Sequence, residues 1–187
     1  MADINYKVPV KLTPLPERSA NLRAAGVETA DFQWEIIELL FFAYRDFVGD
    51  ADAVLQEFGF GRAHHRVMHF VSRYPGLKVA DLLEVLRITK QSLGRVLKQL
   101  IDEGYIVQRS GDNDKRQRLL FATAKGEALV TKLAGLQTKR IAHALKGVTE
   151  ADNNAVRSFL RHMIDLNEPD KVLQAVMGSS GTARGSS

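Results

Sequence analysis

The sequence contains no cysteine. That excludes disulfides, thiolate metal sites and redox sensing through a thiol of this chain. Long apolar runs are missing too. The longest, around residues 36–48, is broken by Glu38, Arg45 and Asp46 and is too short to span a bilayer. No basic segment followed by an apolar run opens the chain, so neither a signal peptide nor a membrane partner is expected, and the expected location is the cytoplasm. Also absent are a nucleophile–base–orienter set, a phosphate-cradling glycine loop and a cluster with metal-ligand spacing. An enzyme is therefore not expected, nor is a cofactor or a metal.

What is present is a globular composition, 45% hydrophobic and 26% charged over 187 residues, enough to bury a core without crosslinks. The net charge is only +4, but it is unevenly placed. Between Arg87 and Arg118 stand the cations Arg87, Lys90, Arg95, Lys98, Arg109, Lys115, Arg116 and Arg118, against Asp102, Glu103, Asp112 and Asp114. This one segment carries an excess equal to that of the whole chain. Such a patch suits a polyanionic partner, although a solvated basic face reads the same way in isolation.

Pro9, Pro14, Pro16 and Gly26, with no sustained apolar period, mark residues 1–29 as an extended arm. Glycine and serine mark 178–187 as a flexible tail. Between them helical periodicity dominates. Asp31 is expected to cap a helix to about Val48, with Phe32, Ile36, Leu39, Leu40, Ala43 and Phe47 at three- and four-residue spacing. Residues 51–58 continue or follow it, Gly59 and Gly61 interrupt, and 62–73 forms the next helix, stopped by Pro75-Gly76. A short helix at 79–86 carries Leu82, Leu83 and Leu86; Thr89 caps a longer one over 90–103, ended by Gly104. Residues 105–110, the turn-forming 111–114 and the alternating 116–122 predict a β-hairpin. Thr123 then caps a helix at 124–145, Thr149 caps another at 150–166, and Glu168-Pro169 starts a short last one.

Two helices joined by a tight turn and followed at once by a hairpin form the informative unit. In a helix-turn-helix the second helix lies in the major groove of DNA. Here Leu93, Val96, Leu97, Leu100 and Ile101 form its inward stripe, and Lys90, Gln91, Gly94, Arg95 and Lys98 the opposite face, with Ser92 near the edge. Arginine can bond guanine bidentately, glutamine can do so with adenine, and Lys and Ser reach phosphates or base edges. Thr89 and the free amides of the first turn favour an approaching phosphate. Gly94 costs helix propensity, which fits either close approach of DNA to the backbone or drift. At the hairpin tip Lys115 and Arg116 stand beside Asp112 and Asp114. An arginine on such a ribbon can enter a narrow minor groove, oriented by a neighbouring aspartate.

The run from Ile88 through Thr89, Lys90, Gln91, Ser92 and Arg95 to Leu100, then Asp102-Glu-Gly-Tyr-Ile-Val107, Asp114-Lys-Arg116 and Thr123-Ala-Lys-Gly126, resembles the MarR family of bacterial transcription regulators. The resemblance spans about residues 30–166. It implies a two-fold dimer with intertwined terminal helices, a recognition helix in the major groove, a wing in the minor groove and most often a repressor. Carried over by position, Lys90, Gln91, Ser92 and Arg95 are the recognition-helix contacts, and Asp114 and Arg116 the wing pair. The family's wing commonly has an acidic residue where Gly111 stands, with Asp112 one residue closer to the core, so the roles of Asp112 and Asp114 stay open. The stretches Phe41-Phe-Ala-Tyr-Arg-Asp-Phe47 and Gly59-Phe-Gly-Arg-Ala-His-His-Arg66 resemble the PetP-type subgroup.

The expected fold is mainly α with a small β-hairpin wing, of α+β class: a winged helix-turn-helix with a helical dimerisation region. Trp34, Ile37, Phe41, Phe42 and Tyr44 lie outside the main stripe of the first long helix. That surplus, with Val156, Phe159, Leu160, Met163, Ile164, Val172, Leu173 and Val176, suits a homodimer on a pseudo-palindromic double-stranded operator. His65 and His69 are four apart, but no acidic residue lies between Gly61 and Asp81 to complete a metal site, so structural or surface histidines are expected. Arg62, His64, His65 and Arg66 are candidates to line a cleft for a small aromatic or anionic effector. The domains expected are the arm at 1–29, N-terminal dimerisation and effector helices at 30–76, a DNA-binding lobe at 77–122, C-terminal dimerisation helices at 123–177 and the tail at 178–187. The alternative is a winged-helix protein-interaction module that binds no DNA.

Overall fold

The computed structural model describes residues 33–111 and 115–164, together with Gln174. The arm at 1–29, the cap at Asp31 with Phe32, the wing residues Asp112 and Asp114, the helix from Glu168-Pro169 and the tail at 178–187 lie outside the described residues. Seven elements match the expected order: α1 (Trp34–Gln56), α2 (Arg62–Arg73), α3 (Val79–Leu86), α4 (Lys90–Asp102), the strand pair β2 (Ile106–Ser110) and β3 (Arg118–Ala122), and α5 (Ala124–Ala144). Helix α6 (Glu150–His162) follows. A further strand, β1 (Leu77–Lys78), pairs antiparallel with β3, giving a sheet of order β1-β3-β2. Two residues show no alternation, so β1 has no sequence signature of its own.

Contacts divide the chain into two units, Met1–Phe42 and Ala43–Ser187. In the first, Trp34, Ile36, Leu39, Phe41 and Phe42 are exposed. Helix α1 is continuous through Gly49 to Gln56, so residues 51–56 continue the first helix rather than form a separate one. Its buried residues are Val48, Ala51 and Leu55, not the stripe through Ile36 and Leu39, which are 40% and 58% exposed. Periodicity marks a face; it does not say what covers that face. Past Gln56 the helix ends in a Schellman turn, in which Phe60 N donates to Leu55 O at 2.9 Å and Gly59 N to Gln56 O at 3.1 Å.

In the second unit one core joins all elements but α6. Leu55 of α1, Val67, Met68 and Val71 of α2, Leu82 and Leu86 of α3, Leu93 and Leu100 of α4, Ile106 and Leu120 of the sheet, and Leu133 of α5 are all buried within it. Polar contacts sit at its rim. Ser72 Oγ donates to Glu127 Oε2 at 2.6 Å, and Arg140 Nη2 meets Asp50 Oδ2 at 2.8 Å.

Helix α4 ends in a second Schellman turn: Tyr105 N donates to Leu100 O at 2.8 Å and Gly104 N, at φ 76°, to Ile101 O at 3.0 Å. The chain then re-enters the same spot from β3. Thr123 N donates to Tyr105 O at 3.0 Å, and Thr123 Oγ1 both donates to Gly104 O at 2.7 Å and accepts from Gly126 N at 3.1 Å. The first turn of α5 lies so close that a Cβ on Gly126 would overlap the Tyr105 carbonyl, at 3.2 Å from its carbon and nearer still to its oxygen. Because the obstacle is backbone, Gly126→Ala is expected to destabilise the fold by about 1–3 kcal/mol, measured by urea unfolding. Arg87 presents the opposite case: it ends α3 in the left-handed region at φ 48°, with Arg87 N donating to Leu83 O at 3.0 Å. Glycine carries no Cβ penalty there, so Arg87→Gly is expected to raise stability by about 1 kcal/mol. An unchanged or lower midpoint would refute that account.

Candidate nucleic-acid interface

Helices α3 and α4 are joined by the turn Arg87-Ile88-Thr89. Thr89 Oγ1 accepts from Ser92 N at 3.1 Å, so the predicted cap closes the first turn of α4. Leu93, Val96, Leu97 and Leu100 are buried and Ile101 half-buried. Thr89, Lys90, Gln91, Ser92, Gly94, Arg95 and Lys98 are all exposed. A Cβ on Gly94 would meet nothing within 4 Å, so packing inside this chain does not require glycine at that position. Lys98 pairs with Asp102 one turn on, which leaves its ammonium partly neutralised. Lys90, Gln91 and Arg95 have no hydrogen-bond or ion-pair partner among the described residues. The free end of the expected reading face is therefore its N-terminal half.

The hairpin pairs Ile106 with Ala122 through to Ser110 with Arg118, and Gly111 N donates to Gln117 O at 3.1 Å beyond the last pair. Pairing starts at Arg118 rather than at residue 116, because Lys115 and Arg116 belong to the turn, where both are exposed. The hairpin also holds two cations outside the set expected from the sequence. The Arg109 guanidinium lies 4.9 Å from the centre of the Phe121 ring, and Arg118 Nη1 donates to Ser110 Oγ at 3.4 Å. Both lie in the basic segment beside the tip, and that clustering of charge is their sequence signal.

The four residues assigned to an effector cleft do not converge. Arg62 Nε bonds Asp52 Oδ2 at 2.7 Å, with its guanidinium 5.8 Å from the centre of the Tyr44 ring. His64 turns toward α4, with Nε2 at 2.9 Å from Gln99 Oε1. Arg66 Nη2 donates to Leu86 O at 3.1 Å, at the end of α3. His65 is buried. Neighbours on one helix point about 100° apart, and Arg62, His64 and Arg66 each meet a different partner.

A helix-turn-helix capped by an antiparallel wing defines a winged helix-turn-helix protein. A sequence model of the MarR family matches residues 58–117. The HTH-type transcriptional regulator PetP of Rhodobacter capsulatus is 45% identical over 129 residues, covering 69% of this chain and 78% of that protein. Among solved structures, a MarR family transcriptional regulator from Listeria monocytogenes complexed with a 26mer DNA aligns at TM-score 0.61 and 22% identity, covering 76% of this chain and 93% of that one. Streptococcus pneumoniae FabT in complex with DNA aligns at TM-score 0.63 and 16% identity, covering 71% and 94%. The chain belongs to the MarR family, of the PetP type. It is a MarR-type transcriptional regulator and not an enzyme. No helix among the described residues is long and apolar enough to cross a membrane.

Buried His65 and half-buried His69 are expected to give the lobe a pH dependence. Burial holds His65 below its ordinary 6.5, with His69 adding to the effect and Asp52 opposing it. Burial also lowers His69, with Arg73 adding. Between those lowered values and 6.5 the unfolded chain binds protons that the fold does not, so stability is lost as pH falls below about 6.5. Thermal midpoints are expected to drop from about pH 7.5 to about pH 5.5, and to drop less in a His65→Gln, His69→Gln double variant. An equal drop in that variant would assign the dependence to other groups.

Proposed function

We propose that this regulator is a sequence-specific repressor that binds a pseudo-palindromic double-stranded operator as a two-fold dimer. Helix α4 enters the major groove and reads it with Lys90, Gln91, Ser92 and Arg95, while Thr89 and Lys98 meet the flanking phosphates. Lys115 and Arg116 carry the wing into the minor groove, with Asp114 orienting the arginine and with Arg109 and Arg118 behind the tip. The observation that carries this reading is the division of α4: Leu93, Val96, Leu97 and Leu100 lie in the core, and Lys90, Gln91, Arg95 and Lys98 in solvent. The Listeria regulator and FabT, which share the fold, are each solved with DNA, and this supports a DNA partner. The dimer is supported by exposed apolar side chains, Trp34, Leu39, Phe41 and Phe42 on α1 and, separately, Val156, Phe159, Leu160 and Met163 on and just after α6. It sets the two reading helices about 34 Å apart. A small aromatic or anionic effector would act by biasing the spacing of the two helices, but Arg62, His64, His65 and Arg66 meet separate partners and do not form one site for it.

The test is salt-dependent binding to a duplex selected by the wild-type chain from a random-sequence pool. Arg95→Ala is expected to cost about 1–3 kcal/mol of affinity and to relax base preference at one position. Arg116→Ala is expected to weaken binding and to lower the slope of log affinity against log salt by about 0.9 for each phosphate no longer neutralised. Failure of the wild-type chain to enrich any duplex would favour the interaction module that binds no DNA, and unchanged affinity and slope in both variants would move the DNA contacts away from α4 and the wing.

A further inference from the structure

A backbone N–H can only donate. The 3.1 Å contact from Gly61 N to His64 Nδ1 therefore makes Nδ1 the acceptor and leaves the ring proton on Nε2. From there Nε2 donates to Gln99 Oε1 at 2.9 Å, and Gln99 Nε2 donates in turn to Glu103 Oε1 at 2.9 Å. Each donor meets an acceptor in an unbroken relay from the N-cap of α2 to the C-cap of α4. The ring is also held by its face, stacked at 4.8 Å and 14° on Phe60, which meets Tyr105 edge-on at 5.1 Å.

We infer that His64 is a positioning residue for the DNA-reading helix: it clamps Gln99 and so sets the rotation of α4 about its own axis. This rests on the reading of α4 given above. Leu93, Val96, Leu97 and Leu100 hold α4 through burial, which is non-directional and tolerates small rotations and slides. The hydrogen bond to Gln99 does not tolerate them. Gln91, Arg95, Gln99 and Glu103 are spaced by four, and a helix gains only about 40° beyond a full turn over four residues. Gln99 thus belongs to the row that carries Arg95 and Gln91, and fixing it fixes the direction of both. His64 touches no nucleic acid in this role and acts through Gln99.

The experiment is a double-mutant cycle, read as binding of the full chain to the pool-selected duplex at several salt concentrations. His64→Leu and Gln99→Leu are each expected to weaken binding about tenfold, and the double variant no more than either alone. The salt slope stays at the wild-type value, because every cation that meets a phosphate is still in place. His64→Gln keeps an acceptor for Gly61 N and a donor for Gln99, and is expected to recover most of the affinity. Wild-type binding by His64→Leu, effects that multiply in the double variant, or a reduced slope each overturn the inference. If His64→Leu does not fold, Gln99→Leu leaves the cap of α2 intact and must show the same tenfold weakening. If Arg95→Ala also binds normally, the reading of α4 fails as a whole; if Arg95→Ala weakens binding while Gln99→Leu does not, only the positioning role falls.

Discussion

The carbonyl of Tyr105 is where three segments are tied together, and the winged helix-turn-helix lobe takes its shape from that tie. Helix α4 has just ended, the hairpin is about to begin, and the first turn of α5 lies against the same peptide group. Thr123 makes the junction from the far side of the hairpin, through N–H to Tyr105 O at 3.0 Å and through its hydroxyl to Gly104 O at 2.7 Å. Lys125 Nζ adds a bond to Glu103 O at 2.9 Å while lying 4.0 Å from the centre of the Tyr105 ring. The absence of a side chain at Gly126 is what permits this approach. Helix α4, the wing and the long α5 are therefore joined at one point, by backbone contacts as well as by the side chains of Thr123 and Lys125.

Magnitudes separate what makes this lobe fold from what makes it point. Burying one leucine stabilises by about 1.5–3 kcal/mol, and the core buries many. A rim hydrogen bond contributes only about 1 kcal/mol net. Removing one such bond leaves the core intact, so Arg66 at Leu86 O, Ser72 at Glu127 and His64 at Gln99 are weak determinants of stability. They are nevertheless the contacts with direction, and a helix that must match a groove depends on direction. In a reading domain a small stability term can carry a large share of the geometry.

The parts of the fold that were legible in the sequence are those set by local chemistry. Thr89, Thr123 and Thr149 each cap a helix through the hydroxyl, with partners at Ser92, Gly126 and Asp152 as their spacing predicts. Gly104 ends α4 because only a residue at ease at positive φ closes that turn. The exposed face of α4 was legible for the same reason, since its inward stripe is unbroken. Pairings between distant segments were not legible. Strand β1 exists only because Leu77 and Lys78 find Leu120 and Leu119 of β3, more than forty residues on. The relay from His64 to Gln99 has no local signature either, so sequence alone grouped His64 with Arg62 and Arg66, its neighbours in the chain. The first half of α1 read as a core stripe because periodicity is blind to what lies opposite.

The chain thus exposes two kinds of surface, and they answer to different properties of the solution. The face of α4 and the wing are polar and cationic, so added salt weakens what they would bind by restoring counterions to the phosphates. The apolar side chains exposed on α1 and on α6 gain by leaving water, a drive that salt does not oppose. Covering even a few of them is worth about 1.5–3 kcal/mol each, comparable to a base contact. Neither kind of surface can satisfy the other, since a phosphate backbone offers nothing to Phe41 or Phe159, and an apolar helix nothing to Arg95. If both are used at once, as in the dimer proposed above, self-association survives conditions that release DNA.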